Sequence, residues 1–107
     1  MAQYEFFQDD VRKQLPGLYT TENEQDPLMI VKFFTPDSGC SLYASEFDGE
    51  DIFFGWIDGF EQELGYFSLS QLQEATGPFG LHIERDIHFE PTCLSVIKCR
   101  HRQRAAS

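Results

Sequence analysis

Residues 28–67 read LMIVKFFTPDSGCSLYASEFDGEDIFFGWIDGFEQELGYF. Runs of apolar, β-branched and aromatic residues alternate here with short turn clusters, the pattern of consecutive strands. The runs predict strands at Leu28 to Thr35, Ser41 to Phe47, Ile52 to Ile57 and Leu64 to Phe67. Pro36-Asp37-Ser38-Gly39 supplies a turn, because the proline ring pre-sets one of its dihedrals. Asp48-Gly49 carries the two-residue hairpin signal, and Asp58-Gly59 begins a further turn. Short links between successive strands favour an antiparallel meander. Strict alternation places Met29, Val31 and Phe33 on one face and Ile30, Lys32 and Phe34 on the other, and it separates Phe53 from Phe54. Both faces therefore carry aromatic side chains. Either helices cover part of the second face, or it is an exposed apolar patch that marks an interface.

Working outward, Tyr4, Phe7, Val11 and Leu15 recur at helical spacing and predict a first helix, ended by Leu15-Pro16-Gly17. After the strands, Ser68-Leu69-Ser70-Gln71 has a capping-box pattern, with Leu69 and Leu72 as the apolar stripe of a second helix that stops at Gly77-Pro78. Leu81 to Arg85 reads as a short strand or extended segment. Pro91 opens a last helix with Leu94 and Ile97 on one face. The expectation is an α+β domain, an antiparallel sheet of about four strands with two or three helices. The domain is assigned to residues 1–97, and 98–107 to a basic, flexible tail.

The 107 residues make one domain of ordinary size. Eleven phenylalanines make its core aromatic. The formal charge is −10, and it is unevenly placed. Between Lys32 and Arg85 stand ten carboxylates and no lysine or arginine, while Lys98, Arg100, Arg102 and Arg104 crowd the C-terminus. A single-signed field of this kind repels nucleic acid and attracts basic protein surfaces. Three cysteines, Cys40, Cys93 and Cys99, are too few and too scattered for a disulfide framework. They predict free thiols in a reducing compartment. The N-terminus lacks the basic and apolar regions of a signal peptide, and no apolar run reaches membrane-spanning length. These features predict a cytoplasmic protein.

Candidate chemistry is sparse. Cys93 and Cys99 with His88 or His101 lack the paired spacing of a zinc site. Glu46, Asp48, Glu50 and Asp51 cluster without the ordered ligand spacing of a cation loop. His82 and His88 flank Glu84-Arg85-Asp86, a combination open to general-base chemistry but more often a surface ion-pair lattice. Phosphate-loop, dinucleotide-binding, nucleophile-elbow and zinc-protease motifs are missing from the chain. No cofactor site is read from it. Direct nucleic-acid binding is disfavoured, because a phosphate groove needs interleaved bases.

Several segments are familiar together: Val31-Lys32-Phe33-Phe34-Thr35-Pro36-Asp37, Asp51-Ile52-Phe53-Phe54-Gly55, Glu63-Leu64-Gly65-Tyr66-Phe67-Ser68-Leu69, Gly77-Pro78-Phe79-Gly80-Leu81 and Ile83-Glu84-Arg85-Asp86. They resemble a family of small bacterial proteins catalogued as domain of unknown function 2958, from about Leu15 to Leu94. The family pattern has a tryptophan where this chain has Leu42, and often an arginine where it has Thr76. The resemblance implies a setting rather than a chemistry. Members look like accessory genes of plasmids and other mobile elements, near conjugation and anti-restriction genes, where small acidic proteins inhibit host defence nucleases.

The expectation that follows is a non-enzymatic inhibitor from a mobile element. It would occupy the basic nucleic-acid channel of a CRISPR or restriction nuclease as a DNA mimic. The residues expected to meet that partner are Glu46, Asp48, Glu50, Asp51, Asp58, Glu61 and Glu63, with Trp56 and Phe60 as aromatic anchors. The alternatives are an accessory binding module for an element-encoded replication or modification protein, and a small enzyme using Glu84, Arg85, Asp86 and a histidine.

Overall fold

A computed structural model describes residues 12–20, 23–36, 40–59, 62–74 and 80–106, the last six residues of the final segment as backbone. The architecture is α+β. A five-stranded antiparallel sheet is built from β2 (Val31–Phe34), β3 (Ser41–Phe47), β4 (Ile52–Asp58), β5 (Gln62–Ser68) and β6 (Glu84–Arg85), in the order β5-β4-β3-β2-β6. The four long strands form the expected meander, and β6 adds itself to the free side of β2. A separate two-stranded ladder joins β1 (Leu28–Met29) to β7 (Thr92–Cys93). Two helices, α1 (Leu69–Glu74) and α2 (Leu94–Ala106), complete the described elements. The predicted first helix lies almost entirely outside the described residues, as do the turn residues 37–39.

Each face of the sheet carries its own apolar cluster. Val31, Phe33, Ala44, Phe47, Phe53 and Phe67 form the first, covered by Leu15 and by Leu69 and Leu72 of α1. Stacked or tilted rings run through it, with Phe53 5.5 Å from Phe33, 4.6 Å from Phe47 and 5.3 Å from Phe67. On the opposite face, Met29, Tyr43 and Trp56 pack beneath Leu94 and Ile97 of α2, with Phe89 against the edge. Phe53 and Phe54 point to opposite faces, as alternation predicts.

Two irregularities depart from strict alternation, and both serve burial. Leu28 to Thr35 is not one continuous strand. The chain breaks at Ile30, whose N–H bonds to the Ala44 carbonyl at 2.8 Å. Met29 consequently joins the second cluster while Val31 and Phe33 join the first. In β3 the register shifts between Ala44 and Glu46, leaving Ser45 as the extra residue of a bulge. Tyr43 and Phe47 are four apart and would share a face in a regular strand. The bulge turns Phe47 over to meet Phe53 while Tyr43 stays beneath α2. The Ser45 hydroxyl donates to the Phe54 carbonyl at 3.2 Å across the irregularity.

The boundary expected at residue 97 is not where the last helix ends. α2 runs through 98–106, and Lys98 sits over the Trp56 ring, 4.7 Å from its centroid. The helix is anchored by Asp26, whose carboxylate accepts the Ser95 N–H and hydroxyl, each at 2.7 Å. Among the described residues no helix is long and apolar enough to cross a membrane.

Candidate functional site

The acidic cluster lies on the β3–β4 turn. Asp48 Oδ1 accepts the backbone N–H groups of Glu50, Asp51 and Ile52, at 2.8, 2.8 and 3.0 Å. An aspartate folding the chain back on its own carboxylate is a local alternative to a backbone turn. Gly49 takes the left-handed conformation the turn needs, with φ of 92°. The three donors hold the Asp48 carboxyl below its ordinary value.

Asp51 works differently. Its Oδ2 accepts the Ser68 hydroxyl at 2.6 Å and the Ser70 hydroxyl at 3.2 Å, and its Oδ1 accepts the Ser70 N–H at 2.8 Å. The Leu69 N–H donates to the Asp51 carbonyl at 2.7 Å. Asp51 thus ties the acidic turn to the start of α1. These hydrogen bonds, the Ser68 hydroxyl first, lower its pKa. Ser68 meets the capping expectation, since its hydroxyl accepts the Gln71 N–H at 3.3 Å. Glu50 and Asp48 are exposed at the tip, and Asp51 is half-buried beside them.

Three of the expected contact residues are buried, and this corrects their placement on the outer surface. Glu46 is only 2% exposed, and its Oε1 accepts the Tyr19 N–H at 2.8 Å. Asp58 is 7% exposed. Trp56 is covered by Lys98 and α2. The physical reason is that β3 and β4 are the middle strands of the sheet, so both of their faces are taken up by packing. Phe60 and Glu61 lie outside the described residues. Glu63 is exposed on β5. The expected nine therefore reduce, among described residues, to Asp48, Glu50, Asp51 and Glu63 as outward or partly outward carboxylates.

Two exposed apolar side chains stand elsewhere, on β5, at positions that the sequence reading left out of the site. Among the described residues β5 ends the sheet, and its pairing with β4 runs from Ile52–Ser68 to Asp58–Gln62. Leu64 and Tyr66 stand on the same side of it, 46% and 54% exposed. The Tyr66 ring lies 4.9 Å from that of Phe54 on β4. The available signal was topological: in a four-strand meander the last strand is an edge of that meander.

The family model for Protein of unknown function (DUF2958) matches residues 7–103. The chain belongs to the DUF2958 family. The match takes in every strand described and most of α2. No curated protein and no solved structure matches the chain.

In this DUF2958 protein the other sequence candidates do not all share one face of the chain. Glu84 pairs with Phe34 and Arg85 with Phe33, so these adjacent side chains point to opposite faces. Asp86 lies 4.0 Å from Lys32 Nζ and its Oδ1 accepts the His88 N–H at 3.0 Å. His82 and His88 are exposed. Among the described residues no group of three or more histidine, cysteine or acidic side chains is placed to hold a metal ion. Cys40, Cys93 and Cys99 are free thiols.

Proposed function

We propose that this DUF2958 protein is a non-enzymatic, protein-binding inhibitor that acts in the cytoplasm. It docks its acidic end on the basic nucleic-acid channel of a host defence nuclease complex, of the CRISPR or restriction kind. The observation that carries the reading is the β3–β4 tip. There Asp48, Glu50 and Asp51 are gathered on one turn, with Glu63 exposed on β5 and no basic residue between Lys32 and Arg85. Duplex DNA carries about one charge per 1.7 Å of axis, and carboxylates gathered within a turn approximate that density over a short length. The anti-defence setting rests on the family resemblance to accessory proteins of mobile elements.

The structure dictates which charges to reverse. Asp51 holds α1, so its substitution confounds binding with folding. Glu50 and Glu63 are exposed, and reversing them leaves the fold alone. The experiment adds purified protein to a nuclease complex recovered by affinity capture from cells carrying intact defence systems, and follows DNA cleavage. Cleavage is expected to fall with the parent protein, to recover in Glu50→Lys/Glu63→Lys, and to recover steeply with salt. Undiminished inhibition by the doubly reversed protein overturns the charge reading. Capture of element-encoded replication or modification proteins alone points to an accessory module instead.

A further inference from the structure

The second face of the sheet holds two donors that the fold leaves without an acceptor. Lys32, Tyr43 and Trp56 lie side by side in register across β2, β3 and β4. An ammonium stands over each ring. Lys32 Nζ is 5.6 Å from the Tyr43 centroid, and Lys98 Nζ, on α2, is 4.7 Å from that of Trp56. The two cations are otherwise unlike. Lys32 has the Asp86 carboxylate at 4.0 Å. Among the described residues Lys98 has no carboxylate partner. Asp26, at the start of the same helix, gives both of its oxygens to Ser95. Beneath Lys98, Trp56 is 7% exposed, and its indole Nε1 is closed to solvent with no hydrogen-bond partner. Met29, Leu94 and Ile97 of the same cluster offer it no side-chain oxygen. A buried N–H without an acceptor loses its hydration and gains nothing in exchange, and native interiors rarely keep one. Here it lies beside a lysine without a counter-ion.

We infer that Trp56 Nε1 and Lys98 Nζ form a binding site for a carboxylate-bearing ligand. One oxygen accepts the indole N–H and the other the ammonium, two charge-assisted hydrogen bonds to one flat group. The ammonium stands over the ring that carries Nε1, so both donors lie within the span of a single carboxylate. Charge selects this class over phosphate. Lys98 brings one positive charge, which a carboxylate cancels. A phosphate dianion leaves an excess negative charge in an apolar seam, in a chain already at −10. Lys98 is half-buried and is the adjustable part of the cover. Turning its flexible stem admits the anion, while Leu94 and Ile97, each 4% exposed, keep α2 seated. The site stands or falls independently of the acidic end.

Trp56 is the single tryptophan, so the full chain, isotopically labelled, shows one indole N–H resonance. Sodium acetate is titrated in against sodium chloride at constant ionic strength and neutral pH, with sodium phosphate as a parallel series. The indole N–H is expected to move downfield along a saturating curve and to exchange with solvent more slowly when bound. Half-saturation is expected on the order of millimolar, the range open to so small a ligand. Lys98→Gln is expected to weaken acetate binding about tenfold, and Lys98→Arg to retain it. Lys13→Gln, at an exposed lysine elsewhere, is expected to leave it unchanged. Trp56→Phe keeps a ring and loses the donor. The α2 backbone amides, followed in that variant, are expected to show the acetate response weakened by a similar factor. Melting followed by circular dichroism shows whether each variant is folded, and the parent titration decides by itself where one is not. A shift linear in acetate, or one that Lys98→Gln leaves unchanged, overturns the site. Tighter binding of phosphate than of acetate overturns the carboxylate assignment. An indole N–H that exchanges slowly without acetate and does not move on its addition has its acceptor inside the fold, a buried water or a side chain, and this too overturns the inference.

Discussion

Replacing Gly55 by alanine places a methyl group where the neighbouring strand already runs. An ideal Cβ on Gly55 falls 1.7 Å from the Tyr43 carbonyl oxygen, 2.7 Å from its carbon and 2.8 Å from Ala44 Cα. All three are backbone atoms, so no side chain can swing aside. β3 and β4 have to move apart by more than 1 Å beside the bulge at Ser45. Overpacking a tight interior costs about 1–3 kcal/mol. Losing the ladder hydrogen bonds on either side adds about 1 kcal/mol each. A penalty of about 3–5 kcal/mol is a large part of the roughly 5–15 kcal/mol that holds a domain together. It corresponds to a fall in Tm of roughly 15 °C or more. The assay is thermal and urea unfolding followed by far-ultraviolet circular dichroism and by the emission of Trp56, which pairs with Tyr43 next to the site. Gly49→Ala is the control. Nothing stands within 4 Å of its Cβ position, and its only penalty is the left-handed φ, about 1–2 kcal/mol. If Gly55→Ala melts within about 3 °C of the parent, or no lower than Gly49→Ala, the close approach of the central strands is wrong.

Other outcomes follow from the same geometry. Glu46→Ala, which removes the acceptor for the Tyr19 N–H, is expected to cost about 1–3 kcal/mol in urea unfolding, with Glu46→Gln milder because it keeps an acceptor. Leu94→Ala, at a position of α2 only 4% exposed and packed against Tyr43 and Trp56, is expected to cost about 2–5 kcal/mol. It also shifts Trp56 emission to the red as the indole is uncovered; unchanged emission would mean that α2 does not cover it. Asp26, Asp48 and Asp51 all have pKa values lowered from 3.8 by hydrogen bonds to their carboxylates. Their stabilisation is present above that value, where folded and unfolded forms are both ionised. It disappears as the pH falls through the lower folded values. Tm measured from neutral to strongly acid pH is expected to drop below about pH 4, and less so in Asp26→Asn/Asp48→Asn. A Tm that rises on acidification would contradict the assignment.

The meander and its hairpins were legible because turn chemistry in this chain is unambiguous. Asp48-Gly49 sits between two aromatic-rich runs, and Ser68 stands at the start of α1 with Leu69 and Leu72 behind it. The family was legible too, since several quoted segments coincide with strands and their links. The faces were harder to read. Alternation assigns Met29 to the side of Val31, and Phe47 to the side of Tyr43. A break at Ile30 and a bulge at Ser45 reverse both assignments, and neither leaves a mark in the sequence. They arise from the competition of two clusters for the same strands, which is a tertiary effect. The burial of Glu46 was illegible for a related reason. Its partner is the backbone of Tyr19, 27 residues away, and backbone donors have no sequence signature. The edge residues Leu64 and Tyr66 were visible as apolar positions. Their exposure followed only from where β5 falls in the strand order.

The acidic composition resolves into two populations with opposite demands. Glu46, Asp51 and Asp26 spend their oxygens on chain segments distant in sequence: the Tyr19 backbone, the start of α1 and the start of α2. Asp48 closes its own turn. Such carboxylates are fixed in direction and already partnered, so a basic partner gains less from them than from a free charge, and their loss damages the fold. Glu50 and Glu63 have no such assignment among the described residues, and a partner can recruit them without competing with those contacts. A scan of single acid-to-asparagine or acid-to-glutamine variants should therefore split in two. Variants at Asp26, Glu46 and Asp51 lower Tm, while those at Glu50 and Glu63 leave Tm unchanged and weaken capture of the basic partner. If capture instead tracks only the number of charges removed, wherever they lie, recognition is a long-range field effect and the surface at β5 and the β3–β4 turn has no privileged role.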